Sequence, residues 1–118
     1  MEKPIDSTAH GIIDYAFAGA QLLLPAILKL HPKAVKTYQM VGLGLLGLNS
    51  LTATPVGLKP VVSFKDHQKA DAGLIMAMGA LTASKMIQKD KKTLVFHLIF
   101  SSLTTLNYFL TDYSGKRK

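Results

Sequence analysis

The chain has 118 residues, 48% of them hydrophobic and 18% charged, with a formal net charge of +7. That length suits one domain, and an apolar excess over the average soluble domain points toward lipid. The lack of cysteine excludes disulfides, thiolate metal sites and thiol catalysis, while lysines scattered between long uncharged stretches, with no basic face, favour anionic headgroups over nucleic acid.

Asp6 is a good N-cap for a first helix, which then carries His10 and Asp14 one turn apart ahead of the apolar stretch "YAFAGAQLLLPAIL". No cleaved leader is expected, because Asp14 interrupts the apolar run and Glu2 and Asp6 precede it. Pro25 is tolerated better in a membrane helix than in a soluble one. The loop "KLHPKAVK" follows, with Lys29, Lys33 and Lys36, and its His31 fits a headgroup contact better than a ligand.

The second and longest uncharged run is "TYQMVGLGLLGLNSLTATPVGL", between Lys36 and Lys59. About 20 residues cross a hydrocarbon core roughly 30 Å thick. Gly42, Gly44 and Gly47 weaken an exposed soluble helix but let helices approach closely in lipid. "GLGLLG" lacks the preceding strand and the lysine-serine ending of a phosphate loop, so packing is the better reading.

Ser63 caps the third helix, and Asp66 three positions on approximates a capping box. His67 and Asp71 follow, then "AGLIMAMGALTAS" with Gly73 and Gly79. Lys85 is expected at the end of this helix, where a long side chain can snorkel to headgroups. Lys89, Lys91 and Lys92 then lead to the last run, "TLVFHLIFSSLTTLNYFLT", with Thr93 as its expected cap and His97 near the membrane face opposite the two His/Asp pairs. A soluble four-helix bundle would need a polar stripe on each helix, whereas "MVGLGLLGL" and "LVFHLIF" are apolar all round.

Shifting the chain by 57 residues superposes His10 on His67, Asp14 on Asp71 and Asp6 on Ser63; after one or two gaps "LNSLT" (48–52) matches "LNYFLT" (106–111), and Gly57 matches Gly115. The expected fold is therefore all-α: one four-helix membrane domain over residues 1–118, made of tandem helical hairpins at about 5–58 and 62–115. An even number of helices per repeat gives a pseudo-two-fold along the membrane normal. Both His/Asp pairs then lie at one membrane face. Seven basic residues at each face leave the orientation undecided by the positive-inside rule.

The segments "HGIIDYAFAGAQLLLP", "HQKADAGLIMAMGALTAS" and "FLTDYSG" resemble the SPW-repeat family of small bacterial integral membrane proteins. The resemblance implies a multi-pass protein of the bacterial inner membrane and brings no established activity. The family's Ser-Pro-Trp motif stands here as Leu24-Pro25-Ala26, and there is no tryptophan.

His10, Asp14, His67 and Asp71 form the candidate polar cluster. At i and i+4 each histidine can bond the aspartate of its own helix. The favoured reading is structural, with the pairs tying helix 1 to helix 3 or to loop backbone. A proton or ion relay is the second reading, although Gln21, Asn49, Thr52, Asn107 and Thr111 supply few deeper groups. Metal or haem ligation is the third. Gly42, Gly44, Gly47, Gly73 and Gly79 are expected to pack helices, and Lys29, Lys33, Lys36, Lys85, Lys89, Lys91 and Lys92 to meet headgroups. No catalytic set is found, so no enzyme and no cofactor are expected. The expected role is a structural or accessory subunit of a membrane complex, or a homo-oligomer, with lipids and other membrane subunits as partners.

Overall fold

A computed structural model describes residues 3–114, and these form five helices and no strand. α1 (Ser7–Ile27) begins as expected, with the Asp6 carboxylate accepting from the Ala9 N–H at 2.8 Å. α2 (Pro32–Ser50) opens on proline, whose fixed φ suits the first turn. α3 (Phe64–Leu81) is capped by Ser63, which accepts from the Asp66 N–H at 3.0 Å. α4 (Lys85–Gln88) is a single turn, and α5 (Lys91–Leu110) completes the chain of helices.

Several expected boundaries move. α4 is an addition to the four helices expected, and it arises because α3 stops at Leu81, so that Lys85 opens α4 instead of closing α3. Thr93 lies inside the first turn of α5, its hydroxyl donating to Asp90 Oδ2 at 2.6 Å, and Asp90 takes the cap position. That hydrogen bond holds the Asp90 carboxyl below its ordinary pKa. The longest uncharged run is helical only from 37 to 50, because Thr52, Pro55 and Gly57 turn the chain away; α2 instead begins among Lys33 and Lys36.

Among the described residues, α5 alone is both long and apolar enough, by length and composition, to cross a membrane. α1 is interrupted by His10, Asp14 and Gln21, and the first half of α3 by Lys65, Asp66, His67, Lys69 and Asp71. In α5 28% of the apolar window is buried.

The two halves close in the same way. Ile5 donates to Leu110 O at 3.1 Å and accepts from the Asp112 N–H at 2.8 Å; Val62 donates to Leu51 O at 2.7 Å and accepts from the Ala53 N–H at 2.8 Å. Ile5 and Val62 are 57 residues apart, the repeat spacing, so the duplication reaches the backbone. The Gly115 counterpart of Gly57 lies outside the described residues, as do Lys116, Arg117 and Lys118.

α1 and α2 make the closest helix pair. A Cβ on Gly42 would stand 3.0 Å from Gln21 Cβ and 3.1 Å from Ala18 O, so Gly42 packs as expected. The other four do not pack within the chain: Gly44, Gly47, Gly73 and Gly79 face open space. Between α2 and α3 runs a groove of about 190 Å³ lined by Val41, Gly44, Leu45, Leu48, Ala70, Asp71 and Leu74. An apolar cluster of Ala34, Tyr38, Met78, Ile87 and Phe100 fills the opposite end of the bundle.

Polar side chains share the interior with the apolar cluster, and many large apolar ones lie outside. His10, Gln21, Asn49, His67, Thr93 and His97 are buried to within 1%. Leu23, Ile27, Met40, Leu43, Met76, Leu98, Ile99 and Phe109 are largely exposed.

Candidate functional site

The four side chains singled out from the repeat meet. His10 and Asp14 come from the first turns of α1, His67 and Asp71 from the matching turns of α3, and one ligating atom from each lies within 4.8 Å of all the others. The shortest contacts cross between helices. His67 Nε2 is 2.8 Å from Asp14 Oδ2, and His10 Nε2 is 3.0 Å from Asp71 Oδ2. Same-helix distances are longer, 3.1 Å for His10–Asp14 and 3.3 Å for His67–Asp71. The quartet therefore links α1 to α3 through cross-helix contacts that add to the expected i, i+4 contacts within each helix.

The far nitrogen of each imidazole is held by a threonine of the opposite repeat. His10 Nδ1 lies 2.8 Å from Thr111 Oγ1, and His67 Nδ1 lies 2.8 Å from Thr52 Oγ1. Each threonine hydroxyl is also 2.5 Å from a helix carbonyl four residues earlier, Asn107 O or Leu48 O. Carbonyl oxygens only accept, so each hydroxyl proton is spent there and each threonine oxygen must accept from Nδ1–H. The Nε2 atoms face carboxylate oxygens and must donate as well. Both rings therefore carry two protons, and two imidazolium charges balance two carboxylates in a largely buried site.

Outer groups fix the carboxylates. Asn107 Nδ2 donates to Asp14 Oδ1 at 3.3 Å, and the Tyr113 hydroxyl donates to Asp71 Oδ2 at 2.7 Å. Burial first, and then the Asp71 charge, raise the Tyr113 phenol above its ordinary pKa, so it remains a donor. Phe64 and Tyr113 lie edge-on or tilted against the His10 ring at 5.5 and 5.2 Å between centroids and cover it. Below the quartet, a cavity of about 20 Å³ touches Asp14, Asp71, Thr104 and Asn107, room for one water.

Thr52, Thr111, Asn107 and Tyr113 are functional positions that sequence reasoning left out of the cluster. The signal was present in the matched repeat ends, because "LNSLT" and "LNYFLT" deliver their threonines to the same end as the histidines. Tyr113 has no aromatic counterpart, since the residue two past Thr52 is Thr54.

His97 lies toward the end away from the quartet and is buried, with Nδ1 2.5 Å from the Tyr38 hydroxyl and Nε2 3.0 Å from Met78 O. The carbonyl requires a proton on Nε2, so Nδ1 accepts from Tyr38 and this ring is neutral. It ties α2, α3 and α5 at the far end. His31 caps α2, its Nδ1 accepting from the Lys33 N–H at 3.2 Å. All seven lysines expected at headgroups are exposed at that far end, but Lys92 Nζ donates to Leu28 O at 3.1 Å, so it also closes the carboxyl end of α1.

No family model, curated protein or solved structure matches the chain.

Proposed function

We propose that the chain is a small multi-pass integral membrane protein of the SPW-repeat kind, with four helices spanning a bacterial inner membrane. In this reading it acts as a non-enzymatic packing module, a subunit of a membrane complex or a homo-oligomer. The observation that carries it is the buried, charge-paired quartet inside an outer surface that exposes Ile12, Leu23 and Ile27 on α1, Met40 and Leu43 on α2, Met76 on α3 and Leu98, Ile99 and Phe109 on α5. The four long helices have 21, 19, 18 and 20 residues, about 27–32 Å at 1.5 Å per residue, which matches a hydrocarbon core. Hydropathy marks α5 alone; in α1 His10 and Asp14 are turned inward and paired, while α3 also carries the exposed Lys65, Asp66 and Lys69 in its first turns, where headgroups would lie in this reading.

The packing role rests on the glycines that face open space. Gly44 of α2 lines the groove between α2 and α3, Gly47, Gly73 and Gly79 on the same two helices also face open space, and small residues on a lipid-facing surface admit another helix at close range. A relay through the bundle is disfavoured because Phe17, Leu74 and Phe100 occupy the space between the quartet and the Tyr38–His97 pair.

The test is extraction and assembly. The protein should stay with membranes through an alkaline wash, need detergent for solution, and run in detergent as a complex larger than one chain. Reconstituted in liposomes it should leave an imposed pH gradient intact. Recovery as a monodisperse soluble monomer without detergent would overturn the reading, and gradient loss abolished by Asp14→Asn would replace it with transport.

A further inference from the structure

The quartet has the donor set, dimensions and surroundings of a divalent metal site. We propose that His10 Nε2, His67 Nε2 and one carboxylate oxygen each from Asp14 and Asp71 bind a single divalent transition metal ion of the zinc class in a four-coordinate site. The site would staple the two repeats together.

Size is the first argument. Bonds of about 2.0–2.1 Å to imidazole nitrogen and carboxylate oxygen place tetrahedral ligands about 3.3 Å apart. The His-to-Asp donor distances are 3.1, 3.0, 2.8 and 3.3 Å, with Asp71 presenting Oδ2 to His10 and Oδ1 to His67, and one donor from each residue lies within 4.8 Å of all the others, so an ion would be held by drawing the widest donor pairs inward. The donors converge from two helices whose starts are locked by the matching Ile5 and Val62 bridges.

The second argument is the outer set. A metal-bound histidine donates its other ring N–H to a fixed acceptor, which sets the tautomer and aims the ligating nitrogen. Thr52 and Thr111 are such acceptors, each oriented by its own bond to a helix carbonyl. Asn107 and Tyr113 hold the carboxylates in the same way. Asn107 Oδ1 is buried without a partner beside the one-water cavity that borders both aspartates, where a water could add to the coordination sphere. That cavity is far too small for a haem.

The third argument is charge. Two imidazolium and two carboxylate groups sum to zero; a divalent ion with two neutral imidazoles and two carboxylates also sums to zero. The exchange reads M²⁺ + 2 Nε2–H⁺ → metal site + 2 H⁺, and the buried region gains no charge. Asp71, 9% exposed and bordering both the cavity and the α2–α3 groove, marks the route in.

The test uses full-length protein in detergent, freed of any histidine tag and treated with chelator, with Co²⁺ and Zn²⁺ as probes. One Co²⁺ per chain should bind with the intense visible absorption of a four-coordinate ion. Equimolar Zn²⁺ should bleach it, about two protons should leave per ion bound, and thermal stability should rise. Asp71→Asn should weaken Co²⁺ binding at least tenfold and Thr52→Val by about ten- to hundredfold, while His31→Ala in the α1–α2 loop should leave it unchanged. Weak octahedral absorption from the wild-type protein would overturn the proposal, as would equal loss in His31→Ala or undiminished affinity in Asp71→Asn with helix content intact.

Discussion

His67 Nε2 stands closer to Asp14, 53 residues away, than to Asp71 one turn along its own helix: 2.8 Å against 3.3 Å. The cross-helix bond makes the charge of each repeat the counterion of the other. Removing one carboxylate leaves two buried imidazolium rings sharing a single anion. Asp14→Asn in chelator-treated protein should lower unfolding free energy by about 3–5 kcal/mol. The charge-balanced double variant Asp14→Asn/His67→Gln should lose less than the sum of its singles. Thermal unfolding of the four-member cycle in detergent measures this, and additive losses would show that the two residues do not depend on each other.

The proton positions are checkable directly. Both His10 and His67 should show the nitrogen chemical shifts of a ring protonated at Nδ1 and Nε2 at neutral pH, whereas His97, between the Met78 carbonyl and the Tyr38 hydroxyl, should show one protonated and one bare nitrogen. Nitrogen NMR on selectively labelled protein separates the two patterns. A bare Nδ1 on His67 would mean that Thr52 donates to the ring and that its short contact to Leu48 O is not a hydrogen bond.

Thr52 and Thr111 are equivalent under the repeat and make equivalent bonds. Replacing either with valine keeps the shape but leaves a charged ring nitrogen without its acceptor, at a cost of about 1–3 kcal/mol. Thr52→Val and Thr111→Val should therefore destabilise by similar amounts, within about 1 kcal/mol of each other. A silent Thr111→Val beside a damaging Thr52→Val would mean that the halves are not energetically alike.

The duplication made the site legible before any coordinates, because two polar pairs at matching positions in an apolar chain have few reasons to recur except to meet. The helix starts at Asp6 and Ser63 were equally readable, since caps are local chemistry. What the sequence could not carry was partner choice: i, i+4 spacing predicts His10–Asp14, and only the placement of α1 against α3 brings Asp71 as near. Nor could it separate a long uncharged run from a helix. The run after Lys36 loses its end to Thr52, Pro55 and Gly57, and the short α4 appears because α3 ends before its apolar residues do. His97 shows the same limit. Its distance from the helix start indicated depth along the bundle but not which neighbours, Tyr38 and Met78, would enclose it.

Tyr38 buries its ring against Phe96, Phe100 and His97 while its hydroxyl supplies the proton that His97 Nδ1 accepts. Tyr38→Phe keeps the packing and removes only that donor. Stability should fall by about 1–3 kcal/mol with helix content unchanged, and the His97 nitrogen shifts should move while those of His10 and His67 stay put. Movement of all three would mean that the far end of the bundle is coupled to the quartet.

The glycines divide into two classes with opposite expected behaviour. At Gly42 an added methyl meets Ala18 O at 3.1 Å and Gln21 Cβ at 3.0 Å, neither of which is a mobile chain end, so Gly42→Ala should push α2 from α1 and cost about 1–3 kcal/mol. At Gly79 nothing lies within 4 Å, and Gly79→Ala should leave the single chain unchanged or more stable by less than about 1 kcal/mol, the helix propensity gained. If that open surface receives a neighbouring helix, bulk is what it will not accept. Gly44→Leu and Gly79→Leu should then shrink the assembly seen in detergent while the unfolding temperature of the isolated chain holds. An assembly indifferent to leucine at both positions would remove the groove at Gly44 and the open surface at Gly79 from the interface and leave the exposed apolar face of α5 as the surface to test next.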